Sequence, residues 1–197
     1  MLGDVGFDPL FLSTKADEWL ASAPYKVGQL SGLDWYREAE IMHGRIAQLA
    51  VVGFIAPGLF GTFPGNDWTG TDAYAYTNPL EELSHIPYLA GTQIVLFMTL
   101  LEFRRLMIIQ EEGPNYTPGD NRIGQTGWNP FGLNYSPEKY EEKRLQELKH
   151  CRLAMIGVLG LYFQAGASGV GVVEQISGAL VYPDYVAKAG YFLPEGI

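Results

Sequence analysis

A duplicated motif constrains this chain more than any other feature of its sequence. The pattern Glu-x-x-His-x-Arg-x-Ala starts at Glu40 and again at Glu147, 107 positions later. A loop motif is also repeated, as Gly-Phe-Asp-Pro at 6–9 and Gly-Trp-Asn-Pro at 127–130. Two copies of a loop followed by a helix predict two equivalent helices related by a pseudo-two-fold axis.

Three stretches of the chain contain no Asp, Glu, Lys or Arg, at 46–66, 83–101 and 153–173. Each approaches the roughly 20 residues that a helix needs to cross about 30 Å of hydrocarbon. The first and the third follow directly on the two motif copies. Core helices of a soluble protein would have a similar composition, so hydropathy alone leaves both interpretations open.

The distribution of basic residues favours a membrane protein. If the chain crosses a membrane three times, 12 of its 13 Lys and Arg residues fall on one side and only Lys188 on the other. The connection at 58–86 has acidic residues but no Lys or Arg. Such an asymmetry is typical of membrane proteins, whose basic loops remain on one side.

The sequence therefore predicts an all-α membrane protein with three transmembrane helices, the first and third forming a crossed pair, in a single domain covering 1–197. The spans are predicted at about 35–60, 86–109 and 138–173. Ser136-Pro137 is a typical helix start, and Asn78-Pro79 predicts one of the short amphipathic helices on the acidic side of the membrane. Pro57-Gly58 is expected to end the first span.

The charged residues of the repeat need partners, because a bare charge in lipid costs a few kcal/mol. Glu and Arg of one copy are five residues apart, which is about 140° around a helix. They cannot easily pair within one helix, so we expect Glu40 to pair with Arg152 and Glu147 with Arg45. Each Glu could then still ligate a metal through a remaining lone pair, and each His offers a neutral imidazole. A purely structural role for these side chains is the alternative.

Two further sets of polar residues extend the pattern. Gln164 lies 14 residues after His150, about 21 Å along the helix and within roughly 40° of the same face. Its side chain could ligate a second group or form an interhelical hydrogen bond. Glu102 and Arg105 can pair on one helix face, which leaves a neutralised carboxylate as a ligand or only a salt bridge at the membrane end.

In their order and joint occurrence these motifs resemble the light-harvesting chlorophyll-binding protein superfamily over essentially the whole chain. The resemblance implies that chlorophylls are held through their Mg by axial ligands, with no free metal site. The implied ligands are Glu40, His43, Glu102, Glu147, His150 and Gln164, with Arg45, Arg105 and Arg152 as ion-pair partners. Gln93 is a further candidate, one position from Ile94, where plant members have a glutamine ligand. Two carotenoids are implied, with ends near Asp8, Pro9, Asn129 and Pro130.

The finer resemblance is to the red-lineage antennae of photosystem I, near the fucoxanthin-chlorophyll proteins, because His150 stands where green-plant antennae usually have Asn. It implies a light-harvesting subunit of the plastid thylakoid membrane, with a stromal N-terminus and a lumenal C-terminus. The expected cofactors are chlorophyll a, chlorophyll c and xanthophylls such as fucoxanthin, diadinoxanthin or zeaxanthin. The expected partners are photosystem core subunits, sister antenna proteins and thylakoid lipids.

Other functions are less compatible with the sequence. A net charge of -9 argues against binding to nucleic acid, and a single cysteine excludes a multi-cysteine metal cluster. A membrane di-iron oxidase would use two Glu-x-x-His motifs but needs further carboxylates from other helices. A photoprotective pigment protein of the same fold is the nearer alternative. No enzymatic motif is present, so we expect a pigment scaffold and not an enzyme.

Overall fold

The computed structural model describes residues 2–22, 30–62, 74–120 and 135–179, and these residues form helices joined by turns, with no strand among them. The helices are α1 (Leu12–Ser22), α2 (Gly32–Phe60), α3 (Pro79–His85), α4 (Tyr88–Glu112), α5 (Pro137–Ser168) and α6 (Val172–Ala179). A short 3₁₀ helix, Gly113–Asn115, follows α4. The all-α prediction is confirmed for this part of the chain.

Two helix starts lie where the sequence predicts them. The Asn78 side chain accepts a hydrogen bond from the Leu80 N–H at 3.1 Å. Asn78 is therefore the N-cap of α3, and Pro79 is its first residue. Helix α5 begins at Pro137, directly after Ser136.

The predicted end of the first span, at about 60, agrees with the end of α2 at Phe60, but Pro57-Gly58 does not end this helix, and the third helix ends earlier than predicted. Helix α2 continues past Pro57-Gly58 to Phe60, because the Pro57 carbonyl still accepts from the Gly61 N–H at 3.1 Å. The helix ends at Gly61, whose φ of 88° is the left-handed conformation that favours glycine. The third predicted span extends to 173, but α5 ends at Ser168, before Gly169 with a φ of 67°.

Contacts divide the chain into two compact units. The first consists of Met1–Arg45 and Val95–Arg152, and the second of Ile46–Ile94 and Leu153–Ile197. In the first unit, Leu30, Ile108, Ile109 and Tyr116 form a buried cluster. In the second unit, the core is Phe54, Ala165 and Val172.

One helix, Gly32–Phe60, is long and apolar enough to span a membrane, and α3 with α4 supplies a second if the bent pair counts as one span. This holds for the described residues. Only 22% of the most apolar part of α2 is buried, whereas the core helix of a soluble protein is mostly buried. Three spans therefore remain a prediction.

Candidate functional site

Helices α2 and α5 approach each other closely at a pair of equivalent positions in the repeat, Gly44 and Cys151. A Cβ atom on Gly44 would lie 2.2 Å from the Cβ of Cys151, closer than two non-bonded carbon atoms can approach. Cys151 has no exposed surface. The small residues at this position let the two motif copies face each other.

The two copies are joined by reciprocal ion pairs, as the repeat predicts. Arg152 Nε lies 2.7 Å from Glu40 Oε1, and Arg45 Nε lies 2.7 Å from Glu147 Oε1. All four side chains are between 26% and 37% exposed. Each carboxylate is therefore neutralised by a guanidinium yet still accessible from outside the helix pair.

Each arginine of the motif also binds a loop glycine that packs on the arginine's own helix. Arg152 donates to the Gly3 carbonyl at 3.0 Å, and Arg45 donates to the Gly119 carbonyl at 2.8 Å. Gly3 and Gly119 have φ angles of 70° and 84°. A Cβ atom on them would lie 2.5 Å from Leu148 Cδ2 and 2.8 Å from Ile41 Cδ1, respectively. Positions 41 and 148 are also equivalent in the repeat, so the symmetry extends to the loop contacts.

The symmetry fails at Arg37 and its counterpart Arg144. Arg37 Nη1 lies 2.6 Å from Glu40 Oε2, so Glu40 contacts two guanidinium groups. Arg144 instead donates to the Pro118 carbonyl at 3.2 Å. Among the described residues, the only ion pair of Glu147 is with Arg45. The repeat places both arginines at the same offset, but the loop next to α5 changes the partner of the second one.

Both motif histidines have the geometry of a metal ligand. His43 Nδ1 lies 2.7 Å from the Ala39 carbonyl, and His150 Nδ1 lies 2.8 Å from the Gln146 carbonyl. A carbonyl only accepts, so Nδ1 carries the proton and a neutral ring presents its lone pair at Nε2. Both side chains are exposed. The donor set therefore fits the Mg of a chlorophyll, and the ligand role of these residues stays a prediction.

A third carboxylate cluster links α2, α4 and the loop after α4. Arg105 lies 2.7 Å from Glu102 Oε2 and 3.0 Å from Glu38 Oε1. The other Glu38 oxygen accepts from the Tyr116 hydroxyl at 2.9 Å and from the Gly119 N–H at 2.6 Å. Glu38 is only 1% exposed, whereas the Glu102 side chain is 45% exposed. The Glu102 carboxylate is thus fixed and accessible, and the buried Glu38 completes the partners of Arg105.

Burial reinforces the protonated state of the Tyr116 hydroxyl in this cluster. Burial, together with the neighbouring Glu38 carboxylate, raises the pKa of the Tyr116 hydroxyl above its usual range. The hydroxyl therefore stays protonated and donates to Glu38. Sequence reasoning missed Glu38 because the equivalent position in the second copy is Leu145.

The remaining predicted ligands are exposed glutamines. Gln164 on α5 and Gln93 on α4 both have exposed side chains. The Gln164 backbone carbonyl accepts from the Gln175 side chain at 3.2 Å, which joins α5 to α6. The ligand role of the two side-chain amides stays a prediction.

The first loop motif has a structural role of its own. The Asp8 carboxylate accepts from the N–H groups of Leu12 and Ser13 at 2.9 Å each, at the start of α1. Hydrogen bonds from Ser13 lower the pKa of Asp8, so it is ionised. Pro9 is exposed. Asn129 and Pro130 lie outside the described residues, and all four remain predicted neighbours of carotenoid ends.

The helices expose large apolar side chains, a feature that marks contact with a partner, a ligand or a membrane. Residues 94–98 of α4 are each between 49% and 63% exposed. Five consecutive residues cover every face of a helix, so this part of α4 exposes apolar side chains on all its faces. On α2 and α5, Leu49 and Ile156 are each 74% exposed.

The described residues do not supply the donors of a di-iron site. No group of three or more His, Cys, Asp or Glu side chains within them is placed to hold a metal ion. The carboxylates of the repeat instead face arginines, which oppose binding of a bare dication.

Comparisons with known proteins agree with the motifs. The family model described as chlorophyll A-B binding protein matches residues 1–166. Chlorophyll a-b binding protein 8 of Solanum lycopersicum is 29% identical over 199 residues, which cover 92% of this chain and 70% of the relative. The fucoxanthin-chlorophyll a-c binding protein of Chattonella marina var. antiqua is 32% identical over 143 residues, which cover 72% of this chain and 61% of the relative.

A third relative, chlorophyll a-b binding protein CP24 10B of Solanum lycopersicum, is 32% identical over 193 residues, covering 83% of this chain and 66% of the relative. A family match over most of the chain and relatives of this similarity lead to one conclusion. The chain belongs to the chlorophyll A-B binding family of light-harvesting proteins.

Proposed function

We propose that this chain is an antenna subunit of the plastid thylakoid membrane that binds chlorophylls and carotenoids and serves photosystem I. The single observation that carries the proposal is the ligand geometry of the repeat. His43 and His150 each have Nδ1 bonded to a carbonyl, which leaves the Nε2 lone pair of an exposed ring as the donor. The bound pigments would supply light absorption and excitation transfer.

The protein's own contribution is to hold pigments at fixed separations and orientations. The Arg152–Glu40 and Arg45–Glu147 pairs tie the two ligand-bearing helices together. The same pairs leave carboxylate lone pairs as ligands next to each His. Glu102, held by Arg105, adds a ligand on α4. These residues, with Gln164 and the further candidate Gln93, are the proposed axial ligands.

We propose three transmembrane spans, with α2 and α5 as the pseudo-symmetric pair and α4 as the third. The charge-free stretches and the exposed apolar residues of all three helices support this assignment. The one-sided distribution of Lys and Arg supports a stromal N-terminus and a lumenal C-terminus. The proposed pigments are chlorophyll a and chlorophyll c with xanthophylls, supported by the similarity to a fucoxanthin-chlorophyll a-c binding protein.

Replacing either motif histidine by leucine should remove about one chlorophyll per polypeptide without preventing assembly. An uncharged ligand is exchanged for an apolar side chain, so no charge is stranded. Reconstitution of each variant with pigments, followed by extraction, measures the ratio. His43→Gln and His150→Gln are the matched controls, because an amide oxygen can replace the imidazole nitrogen and should retain the pigment. Full pigment content in both leucine variants would remove the basis of the ligand assignment.

Attachment to photosystem I is tested on thylakoids of the source organism. After gentle solubilisation, the chain should migrate in one band with photosystem I core subunits, because His150 makes the sequence resemble the red-lineage antennae of photosystem I. The bands are identified by immunodetection of the chain and of both core complexes. Migration with photosystem II, or alone, would contradict this part of the proposal and leave pigment binding unaffected.

A further inference from the structure

The third histidine of the chain has the same arrangement as the two in the repeat. His85, at the end of α3, has Nδ1 2.9 Å from the Glu81 carbonyl, four residues earlier. His43 and His150 contact the carbonyl four residues earlier at 2.7 and 2.8 Å. His85 lies in neither copy of the repeat, so this similarity has no origin in the duplication.

The hydrogen bonds of His85 fix its tautomer. Ser84 Oγ donates to the Glu81 carbonyl at 2.7 Å and lies 2.9 Å from His85 Nδ1. The hydroxyl group therefore donates its proton to the carbonyl, and its oxygen accepts a hydrogen bond from the Nδ1–H of the ring. With two acceptors at Nδ1, the neutral ring carries its proton at Nδ1 and its lone pair at Nε2.

The ring plane of His85 is also held in place. The Tyr76 ring stacks on it with a centroid distance of 4.3 Å and an interplanar angle of 26°. The His85 side chain is nevertheless exposed. Hydrogen bonds at Nδ1 and stacking on one face hold the ring in place. Its other nitrogen, Nε2, is therefore preorganised to bind an external metal.

The neighbouring chain is apolar and uncovered. Leu83, Tyr88 and Leu89 are 70%, 90% and 68% exposed. They lie within four residues of His85, around the break between α3 and α4. A ligand of His85 would therefore meet an apolar surface.

A bare metal ion does not fit this site. Divalent cations take several protein donors, and no group of three His, Cys, Asp or Glu side chains occurs among the described residues. A magnesium ion inside a tetrapyrrole has the ring nitrogens as ligands and needs only an axial donor, and its macrocycle is apolar. We propose that His85 is the axial ligand of a further chlorophyll, an inference that rests on the proposed pigment-binding function.

The test is reconstitution of His85→Leu, His85→Gln and His85→Gly with chlorophyll a and carotenoid, in parallel with the native chain and His43→Leu. We expect His85→Leu to contain about one chlorophyll fewer per polypeptide and His85→Gln to keep it. Adding imidazole to His85→Gly should restore the chlorophyll and its absorption band. A structural role of the ring would not give this rescue, because free imidazole makes no link to the backbone.

Each outcome separates this inference from the proposed function. If His43→Leu loses a chlorophyll while His85→Leu keeps the full content, the His85 assignment is overturned and pigment binding stands. If His85→Leu loses pigment but imidazole fails to restore it in His85→Gly, the ligand role is also overturned. If the native chain itself binds no chlorophyll, the proposed function fails.

Discussion

Replacing Arg105 by leucine is expected to prevent formation of a stable pigment complex. Arg105 is the ion-pair partner of both Glu38 and Glu102, at 3.0 and 2.7 Å, and Glu38 is 1% exposed. Removing one partner of a buried ion pair typically costs about 3–5 kcal/mol. Glu38 accounts for most of this cost because it is buried, whereas Glu102 is 45% exposed, and the loss approaches the lower end of the roughly 5–15 kcal/mol of a whole domain's stability. The yield of reconstituted complex and its thermal denaturation measure the effect.

A matched variant shows whether the stranded charge is the cause. Glu38→Gln keeps an amide oxygen for the Tyr116 hydroxyl and the Gly119 N–H, and Arg105 still pairs with Glu102. It should therefore be much milder than Arg105→Leu. When Glu38→Gln is combined with Arg105→Leu, no buried carboxylate is stranded, so the double variant should recover part of the lost stability. An Arg105→Leu complex that melts at the native temperature would refute the role of this cluster.

Arg45→Leu is expected to be more damaging than Arg152→Leu, although the two arginines are equivalent in the repeat. Without Arg152, Glu40 keeps the contact with Arg37 at 2.6 Å, so the loss should be near the roughly 1.5–3 kcal/mol of one charged hydrogen bond. Without Arg45, Glu147 loses its only ion pair among the described residues, and an unpaired carboxylate on a membrane-spanning helix adds about 3 kcal/mol to the lost hydrogen bond. Melting temperatures and chlorophyll content of the two reconstituted variants give the comparison.

The asymmetry has its own control in Arg37. Combining Arg37→Leu with Arg152→Leu removes both guanidinium groups from Glu40, so the double variant should be as unstable as Arg45→Leu. Arg37→Leu alone should be mild, because the Arg152–Glu40 pair at 2.7 Å remains. Equal melting temperatures for Arg45→Leu and Arg152→Leu would show that Arg37 does not support Glu40.

The ion pairs between the motif copies could be predicted from the sequence. Glu and Arg of one copy lie about 140° apart on their helix, so each needs a partner on the other helix. The observed Arg152–Glu40 and Arg45–Glu147 pairs follow from this spacing. Because the two copies are equivalent, the charges of both must be paired in the same way, and the repeat therefore predicts the partners.

Features without a repeated counterpart were harder to predict. Glu38 has Leu145 as its equivalent, so the duplication gives no signal for its buried position beside Arg105. Arg37 and Arg144 are equivalent in sequence but bind different partners, because a loop carbonyl competes for the second one. The close contact between positions 44 and 151 could have been predicted, because these two equivalent positions of the repeat both hold small residues.

Helix ends depend on backbone angles that a residue pattern specifies only loosely. Pro57-Gly58 has the composition of a helix end, but the carbonyl of Pro57 keeps its hydrogen bond to Gly61. The actual ends are at glycines with positive φ, Gly61 and Gly169. A charge-free stretch indicates where a span can lie, and the glycine with a left-handed backbone decides where its helix stops.

The most direct test of the antenna function is the fluorescence excitation spectrum of the reconstituted, purified chain. Chlorophyll a emission is recorded while the excitation wavelength is scanned across the carotenoid and accessory chlorophyll bands. We predict that these bands appear in the excitation spectrum close to their strength in the absorption spectrum, because the ligands hold all pigments within transfer distance. An excitation spectrum with chlorophyll a bands alone, from a protein that does contain carotenoid, would contradict the account.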